Sequence, residues 1–117
     1  MLVENKDMNS FENIESLLRT VYEKYNNVRL GIAGSYANNA QHEGSDIDIV
    51  IDGDSMQVDI MYYIKNLFHT NGDNVDVLWL DLMKQEDEEL DKLAIENDLP
   101  INEYSAYKTV MQEVKWV

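Results

Sequence analysis

Two aspartates that alternate with apolar residues are the feature of this sequence most able to do chemistry. Asp46 and Asp48 lie in the segment SDIDIVID, whose alternation of acidic and apolar residues is typical of a half-buried strand. Side chains at positions i and i+2 of a strand point to the same face, about 7 Å apart. Carboxylates this close repel each other unless a cation lies between them. Their oxygen atoms favour hard cations such as Mg²⁺, Mn²⁺ or Ca²⁺, so the pattern indicates a divalent-cation site.

A third carboxylate and a glycine–serine pair extend this site towards phosphoryl-type transfer. Asp76 lies near the beginning of a second predicted strand, and a third acid would let two ions bind side by side. Gly34 and Ser35 follow a buried apolar run and precede a loop that can contain a short helix. Glycine lets a phosphate approach the backbone, the serine can hydrogen-bond its oxygens, and a helix beginning there would add its positive end. Taken without the glycine–serine pair, alternating aspartates are equally typical of an exposed strand face in an acidic protein.

The order of the predicted elements explains how these residues could meet. Two strands joined through a helix normally form a right-handed parallel crossover, so strands 45–52 and 74–80 are expected to be parallel and could be neighbours. Asp46, Asp48 and Asp76 would then share one edge of the sheet. We therefore predict one α/β (α+β) domain over residues 1–117, with a small mixed sheet backed by helices. The predicted elements are a helix capped by Asn9 and ended by Asn26, a strand over 28–33, a strand over 45–52, a helix over 56–68, a strand over 74–80, a helix over 82–97, an edge strand over 101–104 and a helix over 105–116.

The charge balance narrows the classes of partner. The chain has 117 residues, with 23 acidic and 9 basic residues and a net charge of -14. Such a charge argues against broad binding to nucleic-acid backbones or anionic membranes, and it fits a protein partner or a cation-recruiting site. The absence of cysteine excludes disulfides and thiolate metal sites. With no apolar run of membrane-spanning length and no signal-peptide pattern, a cytoplasmic protein is expected.

The spacing of these motifs resembles that of a known superfamily. Gly34-Ser35, ten intervening residues and then Asp46-Ile47-Asp48 is similar to the signature of the DNA polymerase beta-like nucleotidyltransferases. The longer stretch GIAGSYANNAQHEGSDIDIVID resembles the minimal nucleotidyltransferases of prokaryotes, in which a GSYARG-like segment precedes SDIDLLV. The segment NVDVLWLDLM resembles their VDLVDLDEL-like third strand. The similarity extends over about residues 10–104.

The resemblance implies a fold, a reaction and a partner. It implies the nucleotidyltransferase fold, with Asp46 and Asp48 binding metal, Asp76 as the third acid, and Gly34 and Ser35 holding the triphosphate. Two Mg²⁺ ions would assist transfer of AMP from ATP to an acceptor hydroxyl. Minimal nucleotidyltransferases are typically paired with a helical HEPN protein in toxin–antitoxin systems, and some adenylylate a tyrosine of that toxin. The chain leaves little room for an acceptor-binding domain, so the acceptor is expected on a HEPN partner.

One departure from the family pattern keeps other functions open. Asn38 and Asn39 stand where the family usually has arginine and glycine, which removes a positive charge near the phosphates. Either another base compensates, such as Lys65 or a residue of a partner, or activity is weakened. A binding-only antitoxin is therefore one alternative, and a nucleotidyltransferase for small molecules such as aminoglycosides is another.

Overall fold

The computed structural model describes residues 11–37 and 46–117. Asn9, Asn38 and Asn39 lie outside these ranges. No helix of the described residues is both long and apolar enough to cross a membrane. The elements are, in chain order, α1 (Phe11–Val21), β1 (Arg29–Ala33), a 3-10 turn (Gly34–Tyr36), β2 (Ile47–Asp52), α2 (Val58–Thr70), β3 (Val75–Trp79), α3 (Leu80–Glu96), α4 (Ala106–Glu113) and β4 (Lys115–Trp116).

The four strands form one mixed sheet in the order β3-β2-β1-β4. β1 is antiparallel to both β2 and β4, whereas β2 and β3 are parallel neighbours joined through α2. A parallel pair needs a crossover of this kind, because a tight turn can join only antiparallel strands. The structure thus confirms the predicted mixed sheet backed by helices and the parallel pairing of its two acidic strands.

The alternation along β2 assigns its two faces to different layers. Ile47, Ile49 and Ile51 are buried in the main core together with side chains of α1 and α2. Val50 points to the opposite face, where it packs in a smaller cluster with Leu80 of α3 and Val110 of α4. Since Asp46 and Asp48 share the parity of Val50, the carboxylates face the layer of α3 and α4.

The predicted edge strand over 101–104 is wrong. This segment bends instead, because the side chain of Asn102 accepts a hydrogen bond from the backbone N–H of Tyr104 at 2.9 Å. Ser105 then caps α4 by accepting a hydrogen bond from the Lys108 N–H at 3.2 Å. The predicted last helix ends early, at Glu113, and the chain continues as the edge strand β4. There the Arg29 guanidinium lies 3.8 Å from the centre of the Trp116 ring.

Candidate functional site

The register of the parallel strands brings the predicted acids together. Asp48 of β2 is directly opposite Asp76 of β3, and neighbouring strands lie about 4.8 Å apart. Asp46 immediately precedes β2 and is two positions from Asp48. All three therefore lie at the edge of the sheet where β2 and β3 begin. Asp48 is half-buried, whereas Asp46 and Asp76 are exposed.

The electrostatics of Asp48 reflect this crowding. Burial raises the pKa of the Asp48 carboxyl above its ordinary value, and the negative charges of Asp76 and Asp46 raise that pKa further. A bound cation would oppose all of these effects. Three carboxylates form a donor set of hard oxygen ligands, which suits Mg²⁺. The three side chains are not arranged as a complete coordination site, however, since the described residues contain no group of three His, Asp or Glu positioned to hold a metal ion.

The backbone at Gly34 passes close to the Asp48 carboxylate. It follows Ala33, which is the register partner of Asp48 on β1. Gly34 has a φ of +73°, and a Cβ built on it would lie 2.5 Å from the Asp48 Oδ2 atom. Both features require glycine, because other residues rarely adopt this conformation and any side chain would displace the carboxylate. The backbone at Gly34 thus forms one wall of the site.

Ser35 lies next to Gly34 in the 3-10 turn, which is the described part of the short helix predicted after β1. The Ala37 N–H donates to the Gly34 carbonyl oxygen at 3.1 Å and closes the turn. Tyr36 and Ala37 are buried and anchor it to the core. A single 3-10 turn aligns few peptide dipoles, so the described residues do not supply the positive helix end that the sequence predicts here.

A pocket of about 350 Å³ opens beside Asp48. Its sheet side includes Ala33, Gly34 and Leu78, and its helical side is formed by Met83 of α3 and by Ala106, Thr109, Val110 and Glu113 of α4. Most of this wall is apolar, with the carboxylates of Asp48 and Glu113 as its charged groups. The pocket can receive an uncharged or cationic group.

Thr109 and Glu113 were missed by the sequence analysis. They lie in a segment predicted as a helix, but no local pattern relates that helix to Asp48. Lys65, which was considered as a substitute cation, does not line the pocket at Asp48. It lines a separate pocket of about 440 Å³ at the end of α2, together with His69 and Val75. Val75 packs against the core formed with α1 and α2, so that pocket is on the other face of the sheet.

Comparison with known families assigns the chain to one family. Residues 14–109 match the model of a family described as a nucleotidyltransferase domain. The match begins within α1 and ends within α4, so it includes the strands that carry Asp48 and Asp76 and the turn at Gly34. None of the curated proteins compared with the chain matches it.

Proposed function

Because the chain belongs to the nucleotidyltransferase domain family, we propose that it transfers AMP from ATP to a hydroxyl group, with a tyrosine of a HEPN-domain protein as the acceptor. One observation carries the proposal: Asp48 is in register with Asp76 on the parallel strand. Only a tertiary arrangement can pair these acids, which are 28 positions apart in the sequence. The wall at Gly34 lies against the carboxylate of Asp48.

The residues of the site divide the work of the transfer. In the proposed reaction the acceptor oxygen attacks the α-phosphorus, the bond from that phosphorus to the bridging oxygen breaks, and pyrophosphate leaves. The backbone of Gly34 and Ser35 binds the triphosphate. Asp46, Asp48 and Asp76 would hold Mg²⁺, which would neutralise phosphate charge and lower the pKa of the attacking hydroxyl. Asp76 accepts the hydroxyl proton.

The surroundings of the site support an acceptor carried by a protein. The pocket beside Asp48 has an apolar wall and enough volume for an aromatic ring. The net charge of -14 would attract a partner whose own substrate is RNA, since such a partner needs a basic surface. Docking would supply the orientation that a bimolecular transfer requires.

The experiment is to incubate the chain with the purified HEPN-domain protein, ATP and Mg²⁺, and to measure the intact mass of that protein. We expect a mass increase corresponding to AMP, which Asp48→Asn abolishes. Asp52→Asn is the matched control, because Asp52 lies on the same strand and face but at the other end, where it accepts a hydrogen bond from Arg29 at 3.1 Å. An unchanged mass, or an increase that survives Asp48→Asn, would contradict the proposal.

A binding-only antitoxin is the second candidate. It is favoured by one observation, namely that the described acids do not form a group ready to hold a metal ion. In that case the HEPN protein would be bound and inhibited without any change in its mass, and Asp48→Asn would leave the inhibition intact.

A further inference from the structure

A stripe of exposed leucines runs along α3. Leu82, Leu90 and Leu93 follow helical spacing, with Glu86 between the first two, and they expose 52%, 52% and 55% of their surface. We call these three residues the leucine stripe. Clustered apolar side chains within a polar surround usually mark a surface for association. Nothing in the described part of the chain covers them.

A small pocket opens beside Leu90 and contains an incompletely paired carboxylate. The pocket has a volume of about 180 Å³ and lies between α3 and the segment that leads into α4. Asp87 lines it and is only 6% exposed. The Oδ1 atom of Asp87 has no hydrogen-bond partner among the described residues. A buried carboxylate oxygen without a donor is costly, so the pocket favours a ligand that brings an N–H group.

The ammonium of Lys108 lies near Asp87 but does not donate a hydrogen bond to its Oδ1 atom. Lys108 Nζ lies 3.7 Å from Asp87 Oδ1, which is too long for a hydrogen bond. Its hydrogen bonds go to both carboxylate oxygens of Asp91 and to the carbonyl oxygen of Asn102, each at 2.9 Å. The ammonium has three N–H donors, and all of them are therefore used elsewhere.

We propose that the leucine stripe and this pocket form a docking surface for a partner protein. The partner would present apolar side chains flanked by basic ones, and one arginine or lysine would enter the pocket and donate to Asp87 Oδ1. The helix sequence LDLMKQEDEELDKLAIE contains seven acidic residues and two lysines. A basic partner is attracted to this surface, whereas a second copy of a chain with a net charge of -14 is repelled.

The docking surface adjoins the candidate active site. Met83 and Ala106 line both the pocket at Asp87 and the pocket at Asp48. A protein anchored at Asp87 would thus lie next to the pocket at Asp48. That this protein is also the acceptor rests on the proposed function. The docking itself needs neither nucleotide nor metal and can be measured separately.

The test uses a synthetic helical peptide with leucines along one face and arginines on either side of them. The control peptide is identical except that citrulline replaces each arginine. Binding is measured by fluorescence anisotropy in EDTA without nucleotide. We expect the parent to bind the arginine peptide at least tenfold more tightly than the citrulline peptide. The double variant Leu90→Gln/Leu93→Gln should weaken binding of the arginine peptide about tenfold. Ile95→Gln is the matched control, because Ile95 is 63% exposed but lies roughly 150° around the helix from these leucines.

Asp87→Asn tests the pocket. It should reduce binding of the arginine peptide and leave binding of the citrulline peptide unchanged, which also shows that the variant is folded. Equal affinity of the parent for both peptides, or an arginine affinity untouched by the leucine substitutions, would overturn the proposal. Self-association that depends on Leu90 and Leu93 would overturn it as well, in favour of a second copy. Peptide binding without AMP transfer would count against the proposed function alone.

Discussion

Replacing Gly34 with alanine adds one methyl group at a confined point of the candidate site, next to the Asp48 carboxylate. The backbone there has a φ of +73°, and a non-glycine residue in the left-handed region costs about 1–2 kcal/mol. The new Cβ would also lie 2.5 Å from Asp48 Oδ2. An ordinary contact is about 3.5 Å, so the carboxylate or the turn must move by about 1 Å. A displacement of that size at a reacting centre can cost about a hundredfold in rate.

Gly72→Ala separates the effect of backbone strain from the effect of the contact with Asp48. Gly72 has a φ of +87°, but a Cβ there would have no atom within 4 Å. Both variants should therefore lose about 1–2 kcal/mol of unfolding free energy from backbone strain. Only Gly34→Ala should lose an additional amount from the contact with Asp48, and only Gly34→Ala should lose about a hundredfold in AMP transfer. Urea unfolding and initial rates of transfer measure the two quantities.

A double-mutant cycle completes this test. In an Asp48→Ala background the carboxylate is absent, so Gly34→Ala should cost no more stability than Gly72→Ala does. A Gly34→Ala variant that transfers AMP at the parental rate would contradict the proposed displacement of Asp48. An extra loss of stability that persists without the Asp48 carboxylate would contradict it too, because the contact would then not be the source of that loss.

Three further predictions concern the cluster of acids, the α3–α4 contact and the core. Asp48→Asn should raise the melting temperature of the metal-free protein at pH 7. Because the pKa of Asp48 is raised in the folded protein, its ionised form opposes folding, and the gain in melting temperature should vanish at a pH below the ordinary pKa of an aspartate. Mg²⁺ should raise the melting temperature of the parent more than that of Asp48→Asn. Lys108→Met should lower the melting temperature, because it leaves the buried Asp87 without its cation, and adding Asp87→Asn should recover part of the loss. Ile49→Ala, at a side chain with no exposed surface, should cost about 2–5 kcal/mol in urea unfolding, whereas the exposed Ile95→Ala should stay within about 0.5 kcal/mol of the parent.

Local patterns were sufficient to predict the elements that carry the acids. The alternation from Asp46 to Asp52 predicts both a strand and a shared face for Asp46 and Asp48, because side-chain direction in a strand has a period of two residues. A helix between that strand and the next predicts a parallel pair. The parallel pairing of β2 and β3 followed from these two rules, and the structure confirms it.

The register of the parallel strands was decided only in three dimensions. Asp73 and Asp81 flank Asp76 in the sequence, and their type alone does not set them apart from it. In the structure Asp76 is opposite Asp48, whereas Asp81 accepts hydrogen bonds from the backbone N–H groups of Ser55 and Leu82. Register is set by the fit of the whole hydrophobic face against the core, which a single strand does not encode.

The helical wall of the pocket at Asp48 could not be predicted from the sequence either. Glu113, the last residue of α4, lines the pocket at Asp48. Its position depends on the bend at Asn102 before α4 and on the pairing of β4 with β1 after it. The segment INEY over 101–104 fits an edge strand as well as the real edge, Lys115–Trp116, does. Strand propensity is nearly the same for such segments, and the choice between them depends on packing against residues distant in the chain. The sequence by itself therefore determined which acids can face one cleft, and the tertiary structure decided what else lines it.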